Sequence, residues 1–229
     1  MTVRTNFELR LLWPILLLAL SAWGLLKIAH EVWEGDAHGV DMMILQVCRT
    51  PTEGGQPGTP LGPIWLQESI RDLTALGSPA VLILAMGATW GYLMLTRQRA
   101  MAWLTAATAG GGLLMAMTLK TLFSRERPDL VYHATVASGY SFPSGHAMMS
   151  AVVYLTLAAL LARLIPSTRQ RLYVVGSAML ITGLIGLSRI YLGVHWASDV
   201  AAGWAAGASW ALLCWLLANW LKLGKRASQ

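Results

Sequence analysis

Six long apolar segments constrain the fold of this chain more than any other feature of its sequence. An α-helix of about 20 apolar residues crosses the hydrocarbon core of a lipid bilayer. The segments cover residues 11–28, 76–96, 100–122, 146–165, 172–190 and 200–221. Backbone polar groups inside a bilayer must be satisfied within the protein, and helices achieve this segment by segment. We therefore predict an all-α fold, a six-transmembrane-helix bundle that forms one domain over residues 1–229.

The composition favours a membrane protein over a nucleic-acid-binding protein. Hydrophobic residues make up 55% of the chain and charged residues only 12%, a balance that is unusual for a soluble domain. The formal net charge is +6, but the basic residues fall in short clusters between apolar runs. A nucleic-acid interface needs a continuous basic surface instead. We expect the lipid bilayer as the partner, and the sequence leaves the oligomeric state open.

The basic residues also predict how the chain is oriented. Ten of the 17 Lys and Arg residues fall on one side of the six segments. They are Arg4, Arg10, Arg97, Arg99, Arg163, Arg169, Arg171, Lys222, Lys225 and Arg226. Because basic residues are enriched in cytoplasmic loops, we place both termini in the cytoplasm. The first segment lacks a signal-peptide cleavage site, so we interpret it as a retained anchor. Short loops and many Trp residues are typical of a bacterial inner (cytoplasmic) membrane protein.

The first external segment, residues 31–78, is too long for a simple turn. After a Pro- and Gly-rich stretch, apolar residues recur at helical spacing. They are Trp65, Leu66, Ile70, Leu73 and Leu76. This spacing predicts a short amphipathic helix over residues 64–76 in the external loop, either at the membrane surface or packed on the bundle. We expect Arg49 and Arg71 in this segment to contact lipid headgroups.

Three polar clusters lie at the predicted external ends of the apolar segments. They read KTLFSRERP at 120–128, PSGH at 143–146 and SRIYLGVHWASD at 188–199. A transferring phosphoryl group carries negative charge on its oxygens, so its site needs fixed cations and backbone donors. Lys120, Arg127 and Arg189 supply cations. Ser144 and Gly145 precede an apolar run, where a helix N-terminus would offer free amides to phosphate.

The histidines of these clusters suggest a division of chemical work. His195 and Asp199 are four residues apart, which places them on one face if the sixth helix begins there. A carboxylate bonded to one ring nitrogen leaves the other free to attack phosphorus. His146 lies in the predicted anion-binding turn, where it can protonate a leaving oxygen and then activate water. We expect Arg125 to have solvent or headgroup contacts, or to reach a second phosphate.

Together, the three clusters resemble the signature of the type-2 phosphatidic acid phosphatase superfamily, which includes lipid phosphate phosphatases and vanadium haloperoxidases. The resemblance covers residues 120–199. It implies that His195 is the nucleophile, Asp199 its orienting partner and His146 the acid and base. The phosphate-binding residues that it implies are Lys120, Arg127, Ser144, Gly145 and Arg189. It implies neither a metal nor a cofactor, and the two cysteines lack metal-type spacing.

The resemblance implies hydrolysis of a membrane lipid phosphate or pyrophosphate through a phosphohistidine. Bacterial members with six helices act on undecaprenyl pyrophosphate, phosphatidylglycerol phosphate or phosphatidic acid. We expect undecaprenyl pyrophosphate, with broad specificity. A lipid-to-lipid phosphotransferase stays open, because the sequence does not show an acceptor site. A transporter is disfavoured, since the charged residues lie near segment ends and not at mid-membrane, and a haloperoxidase is disfavoured because the chain is a membrane bundle.

Overall fold

The structure is a computed structural model that describes residues 2–51 and 58–221, with only the backbone of residues 2–11. Eight α-helices account for most of these residues, and a short 3-10 turn lies at Leu130–Tyr132. The helices are α1 (Thr2–Glu34), α2 (His38–Val47), α3 (Ile64–Ala75), α4 (Pro79–Leu95), α5 (Arg99–Phe123), α6 (Gly145–Leu164), α7 (Thr168–Tyr191) and α8 (Ala197–Trp220). The described residues contain no β-strand, so the predicted all-α class is confirmed.

Six of these helices correspond to the six predicted apolar segments. Five are long and apolar enough to cross a membrane: Leu12–Glu34, α5, α6, α7 and α8. The sixth, α4, has 17 residues and meets the same test only together with α3, from which it is bent by 41°. The bend follows from the sequence, because Ser78 caps α4 and Pro79 fits its first turn while stopping α3. The predicted membrane bundle is therefore confirmed, with a short second span.

The bundle is built around α6, which packs against α5, α7 and α8, while α1 packs against α8. Gly203 and Gly207 let α8 approach α6 closely. A Cβ atom on Gly203 would lie 2.8 Å from the carbonyl oxygen of Ser144. A Cβ on Gly207 would lie 2.7 Å from the Cβ of Ala151. Small residues four apart are typical of membrane helices whose backbones approach closely.

The segment of residues 31–78, which was predicted to be external, holds two helices, α2 and α3, of which only α3 was predicted. One side of α3 lies against α7, and Arg71 at its surface donates from Nε to the carbonyl oxygen of Ala134 at 3.0 Å. Ile64 and Trp65 remain 73% and 66% exposed, so α3 both packs on the bundle and presents apolar side chains outward. The unpredicted α2 packs against the start of α8.

Arg49, which follows α2, does not reach outward to headgroups, so that expectation was wrong. Its side chain is buried and donates to the carbonyl oxygens of Tyr191 at 2.9 Å and Tyr132 at 2.8 Å. The guanidinium thereby ties the end of α2 to the end of α7 and to the 3-10 turn.

The basic residues in two of the connections between helices lie far from the predicted site, at the other end of the bundle. The α4–α5 and α6–α7 connections carry Arg97, Arg99, Arg169 and Arg171, and both lie at the end of the bundle opposite the three polar clusters. Lys222, Lys225 and Arg226 lie outside the described residues. Four of the ten basic residues that were predicted to be cytoplasmic therefore lie together at one end of the bundle.

Candidate active site

The three polar clusters meet at one end of the bundle because four helices begin or end there. Lys120 lies in the last turn of α5, and Gly145 is the first residue of α6. Arg189 lies in the last turn of α7, and Asp199 in the first turn of α8. The backbone N–H of Ser144 donates to the carbonyl oxygen of Asp199 at 2.9 Å, which joins the second cluster to the third.

His195 and Asp199 form a buried pair at the centre of this site, with exposed fractions of 2% and 0%. His195 Nδ1 lies 3.5 Å from Asp199 Oδ2. The Ser141 hydroxyl donates to the same carboxylate oxygen and lies 3.3 Å from Nδ1. The other ring nitrogen, Nε2, lies 3.1 Å from Arg127 Nη1. The ring is thus oriented with Nδ1 toward the carboxylate and Nε2 toward the cations.

Burial lowers the pKa of His195 to about 4, against the opposing effects of its hydrogen bond to Asp199 and the negative charge there. The positive charges of Arg127 and Arg189 lower it further. The imidazole is therefore neutral at pH 7. With its proton on Nδ1, beside the carboxylate, the lone pair is on Nε2 and points toward the cationic side.

Two of the three cations hold the loop that precedes the second cluster. Lys120 Nζ donates to the carbonyl oxygen of Tyr140 at 2.6 Å. Arg127 donates to all three carbonyl oxygens of residues 138–140, at 2.9–3.3 Å, and to that of Val194 at 2.6 Å. Burial lowers the pKa of Arg127, partly offset by the charge of Asp199, but the guanidinium stays protonated. A phosphate ligand would compete with these carbonyl oxygens for the same donors.

The third cation, Arg189, keeps donor capacity. It is 5% exposed, and its Nη1 donates to Thr74 Oγ1 at 3.2 Å. Its Nε has no hydrogen-bond partner within the described protein, and neither has the hydroxyl of the fully buried Ser144. A buried polar group without a partner costs about 1–3 kcal/mol, so such groups in one place call for an explanation.

Ser144 is the N-cap of α6, and Arg189 is near enough to His146, in the first turn, for its charge to act on that ring. The first helical hydrogen bond runs from the Met148 N–H to the Ser144 carbonyl oxygen at 2.9 Å, so the amides of Gly145 and His146 point beyond the helix. A Cβ on Gly145 would meet only Lys120 Cε, at 3.8 Å, so packing within the described protein does not require glycine there. Free amides, a helix dipole and cations together make a site for an anion.

His146 lies in the first turn of α6, half-buried and within electrostatic reach of His195, Arg189 and Lys120. The junction between α3 and α4 covers its ring, since a Cβ on Gly77 would lie 3.3 Å from His146 Cδ2. The structure therefore brings all eight predicted site residues to one end of the bundle. Their chemical roles stay predictions.

Ser141 and Asp41 were not predicted from the sequence, and the contacts of Arg125 differ from those predicted. Arg125 Nη1 donates to Asp199 Oδ1 at 2.7 Å, and Nη2 donates to Asp41 Oδ2 at 2.7 Å. The expected headgroup contact was wrong, because the guanidinium lies between two buried carboxylates. Arg125 and Ser141 stand next to the motifs, but Asp41 had only one signal, a single acid in a short apolar run.

Comparison with known proteins identifies the class. Residues 100–223 match the PAP2 superfamily. The chain is 33% identical over 160 residues to phosphatidylglycerophosphatase B of Bacillus subtilis, and this alignment covers 62% of this chain and 70% of that protein. It is 33% identical over 145 residues to decaprenylphosphoryl-5-phosphoribose phosphatase of Mycobacterium tuberculosis, covering 61% and 73%. The chain belongs to the PAP2 superfamily.

Solved structures agree with this assignment. The crystal structure of a transmembrane PAP2 type phosphatidylglycerolphosphate phosphatase from Bacillus subtilis superposes with a TM-score of 0.76 and 27% identity, over 93% of this chain and 98% of that one. Aquifex aeolicus LpxE shares the fold, with a TM-score of 0.53 and 24% identity over 68% and 88% of the two chains. The predicted family and enzyme class are confirmed: the chain is a multi-pass membrane protein and a lipid phosphatase.

Proposed function

We propose that this protein removes phosphate from a membrane lipid phosphate or pyrophosphate through a phosphohistidine on His195, without a metal. The observation that carries the proposal is the neutral, buried imidazole, with Nδ1 beside Asp199 and Nε2 beside Arg127, at the end of the bundle that also holds Arg189 and the N-terminus of α6. The reaction takes place at the external leaflet of a bacterial cytoplasmic membrane, with both termini in the cytoplasm. The basic connections at the opposite end of the bundle support that orientation.

In the first step, His195 Nε2 attacks phosphorus and the bond between phosphorus and the lipid oxygen breaks. The bound phosphate dianion beside His146 favours its protonated form, which gives its proton to the leaving oxygen. Arg189, Ser144 and the α6 amides bind the phosphoryl oxygens, and Lys120 and Arg127 exchange carbonyl oxygens for phosphate oxygens. Asp199 keeps the Nδ1 proton hydrogen-bonded and stabilises the positive charge that the ring acquires.

In the second step, water replaces histidine on phosphorus. His146, now neutral, takes a proton from the water as its oxygen attacks. The bond between phosphorus and Nε2 breaks, and the electron pair returns to the ring. Inorganic phosphate leaves, and His195 is neutral again, ready for another cycle.

The nucleophile is tested by trapping the intermediate. Purified protein is mixed with a lipid phosphate, quenched in alkali, which preserves phosphohistidine, and analysed by mass spectrometry. We expect the added phosphate on His195, and neither adduct nor turnover in His195→Gln. His30→Gln is the control, since that side chain is exposed on α1 and pairs, among the described residues, only with Glu34. Normal turnover by His195→Gln overturns the phosphohistidine route.

The acid role of His146 is tested by changing the leaving group. An alkyl phosphate monoester expels a poor leaving group that needs a proton, whereas an aryl phosphate or a lipid pyrophosphate expels a good one. General acid catalysis contributes roughly 10²–10⁴-fold where it is needed. We expect His146→Ala to lower kcat/KM for the monoester far more than for the other two. An equal loss on all three substrates would show that His146 only binds phosphate.

For the substrate, we propose undecaprenyl pyrophosphate, with phosphatidylglycerol phosphate as the second candidate. The second is favoured by the similarity to the Bacillus subtilis phosphatase over 93% of this chain. The test measures phosphate release in detergent from these two lipids and from phosphatidic acid, with and without EDTA. We expect the highest kcat/KM on the pyrophosphate and no effect of EDTA. Loss of activity in EDTA and recovery with magnesium would contradict the metal-independent mechanism.

A further inference from the structure

One acid on α2 reaches into the site from outside the region that matches the superfamily. Asp41 is 2% exposed. Its Oδ1 accepts from the backbone N–H of Ser198 at 2.8 Å, and its Oδ2 accepts from the Ser198 hydroxyl at 2.5 Å. Ser198 lies in the first turn of α8, so a carboxylate from a different helix satisfies one of the free amides there. Asp41 thus fixes where α8 begins relative to α2.

Asp41 is joined to the proposed catalytic pair by Arg125. One arm of the guanidinium donates to Asp41 Oδ2 and the other to Asp199 Oδ1, both at 2.7 Å. The Arg125 side chain is only 15% exposed, and the guanidinium lies 5.7 Å from the ring centroid of Trp196. A planar guanidinium can make both bonds at fixed angles, which a lysine ammonium cannot.

This arrangement assigns different partners to the two oxygens of Asp199. Oδ1 is bonded to Arg125, whereas Oδ2 faces His195 Nδ1 and accepts from Ser141 and from the Trp196 N–H, the latter at 3.0 Å. With partners on both oxygens, the carboxylate cannot rotate without losing a charged hydrogen bond. A fully buried carboxylate also needs a cation to stay ionised, and Arg125 is in direct contact.

We infer that Asp41 and Arg125 are positioning residues that hold Asp199 ionised and directed at His195. This inference rests on the proposed function of His195. It gives the external helix α2 a task in the reaction, since α2 supplies the anchor for Arg125. The side chains of both residues bond to Asp199, to Ser198 or to each other and not to the groups proposed to bind phosphate, so we expect both to act on the first chemical step through Asp199 and to leave phosphate binding unaltered.

The test is a double-mutant cycle on kcat/KM for nitrophenyl phosphate, which reports phosphoryl transfer to His195 whichever step limits turnover. Asn at position 41 keeps an acceptor for the Ser198 amide but loses the charge that holds Arg125. We expect Asp41→Asn to lower kcat/KM roughly 10- to 100-fold, with inhibition by inorganic phosphate changed less than about threefold. In an Asp199→Asn background, Asp41→Asn should have almost no further effect, because residues that act as one unit are not additive.

Arg49→Gln is the matched control. It removes another buried arginine from the same end of the bundle, one that donates to carbonyl oxygens. It should lower the unfolding temperature, and its effect on kcat/KM, if any, should be additive with Asp199→Asn. If Asp41→Asn does not yield folded protein, Arg125→Lys takes its place, with the same expected cycle.

The outcomes separate the two proposals. Additive effects of Asp41→Asn and Asp199→Asn, or equal losses in kcat/KM and phosphate binding, would show a merely structural role and overturn this inference alone. Full activity of Asp41→Asn would overturn it too. Wild-type protein that turns over without a phosphohistidine would overturn the proposed function and this inference with it.

Discussion

Among single residues, His195 shows how burial and a carboxylate change the pKa of one imidazole in opposite directions. Burial disfavours the charged form and lowers the pKa to about 4, whereas Asp199 favours the charged form. The first effect keeps the lone pair available at pH 7. The second stabilises the ring once it carries positive charge as a phosphohistidine, so one pair serves the resting state and the intermediate.

The pKa of His195 can be measured directly. In protein labelled with ¹³C at histidine, we expect the His195 ring signal to titrate with a midpoint near pH 4, well below the ordinary 6.5. From pH 8 down to pH 5 that signal should hardly move, since the neutral form persists until the pH approaches the lowered pKa. His195→Gln assigns the signal by its loss. A midpoint at or above 6.5 would contradict the burial argument.

Ser141 offers a second test at this scale. Its hydroxyl donates to Asp199 Oδ2 and lies 3.3 Å from His195 Nδ1. A hydrogen bond to a charged group contributes about 1.5–3 kcal/mol, so Ser141→Ala should lower kcat/KM roughly 10- to 100-fold. Ser150→Ala is the control, because Ser150 is equally buried but bonds to a backbone carbonyl within α6. Equal effects of the two variants would mean that the Ser141 hydroxyl is not part of the catalytic arrangement.

The residues that the sequence did not reveal share one physical property: their partners are distant in the chain. Lys120, His146 and His195 stand in motifs at the ends of apolar segments, and the resemblance to a known signature implied that these motifs act together. The bond between Arg125 and Asp41 depends instead on where α2 packs, and packing is not encoded in any local pattern. An arginine beside a motif looks the same whether it faces solvent or a buried carboxylate.

Among helices and loops, the apolar runs predicted the spans well and the short external helices less well. A span must be long and apolar throughout, so its sequence signal is strong. By contrast, α2 has ten residues and α4 has 17, and their limits depend on turns and on the Ser78–Pro79 start. The single-domain assignment over residues 1–229 stays a prediction, because the family match covers residues 100–223.

The contact between α6 and α8 leads to a prediction at this scale. A Cβ on Gly203 would lie 2.8 Å from the Ser144 carbonyl oxygen, so alanine there must push α6 away. Overpacking of this kind costs about 1–3 kcal/mol. We expect Gly203→Ala to lower the unfolding temperature in detergent and also kcat/KM, because the displaced turn carries Ser144 and His146. Gly183→Ala on α7 is the control, since nothing lies within 4 Å of its added Cβ, and alanine favours a helix. An unchanged Gly203→Ala protein would show that the helices are not in close contact.

In the whole molecule, the six spans place all proposed catalytic groups at one end of the bundle and the basic connections at the other. By the positive-inside rule, this arrangement supports our proposal that the catalytic end lies outside the cytoplasm. The two native cysteines are poor labelling sites for a test of this orientation. Cys48 is half-buried, and burial raises the pKa of its thiol, which reduces the reactive thiolate, while Cys214 is half-buried within α8.

Two introduced cysteines test the orientation more sharply, in a background where Cys48 and Cys214 are replaced by serine. Val136 is 94% exposed in the loop before the second cluster, and Ser167 is exposed in the α6–α7 connection at the opposite end. In cells whose cytoplasmic membrane is intact, a membrane-impermeant maleimide should label Val136→Cys and leave Ser167→Cys unlabelled. After that membrane is permeabilised, both should react, which controls for local reactivity. The two positions lie at opposite ends of the same bundle. Labelling of Ser167→Cys alone in intact cells would therefore mean that the orientation is the reverse of the one proposed and that hydrolysis takes place at the cytoplasmic leaflet. The fold and the site chemistry would stand, but the substrate would then have to present its phosphate on the other side of the membrane.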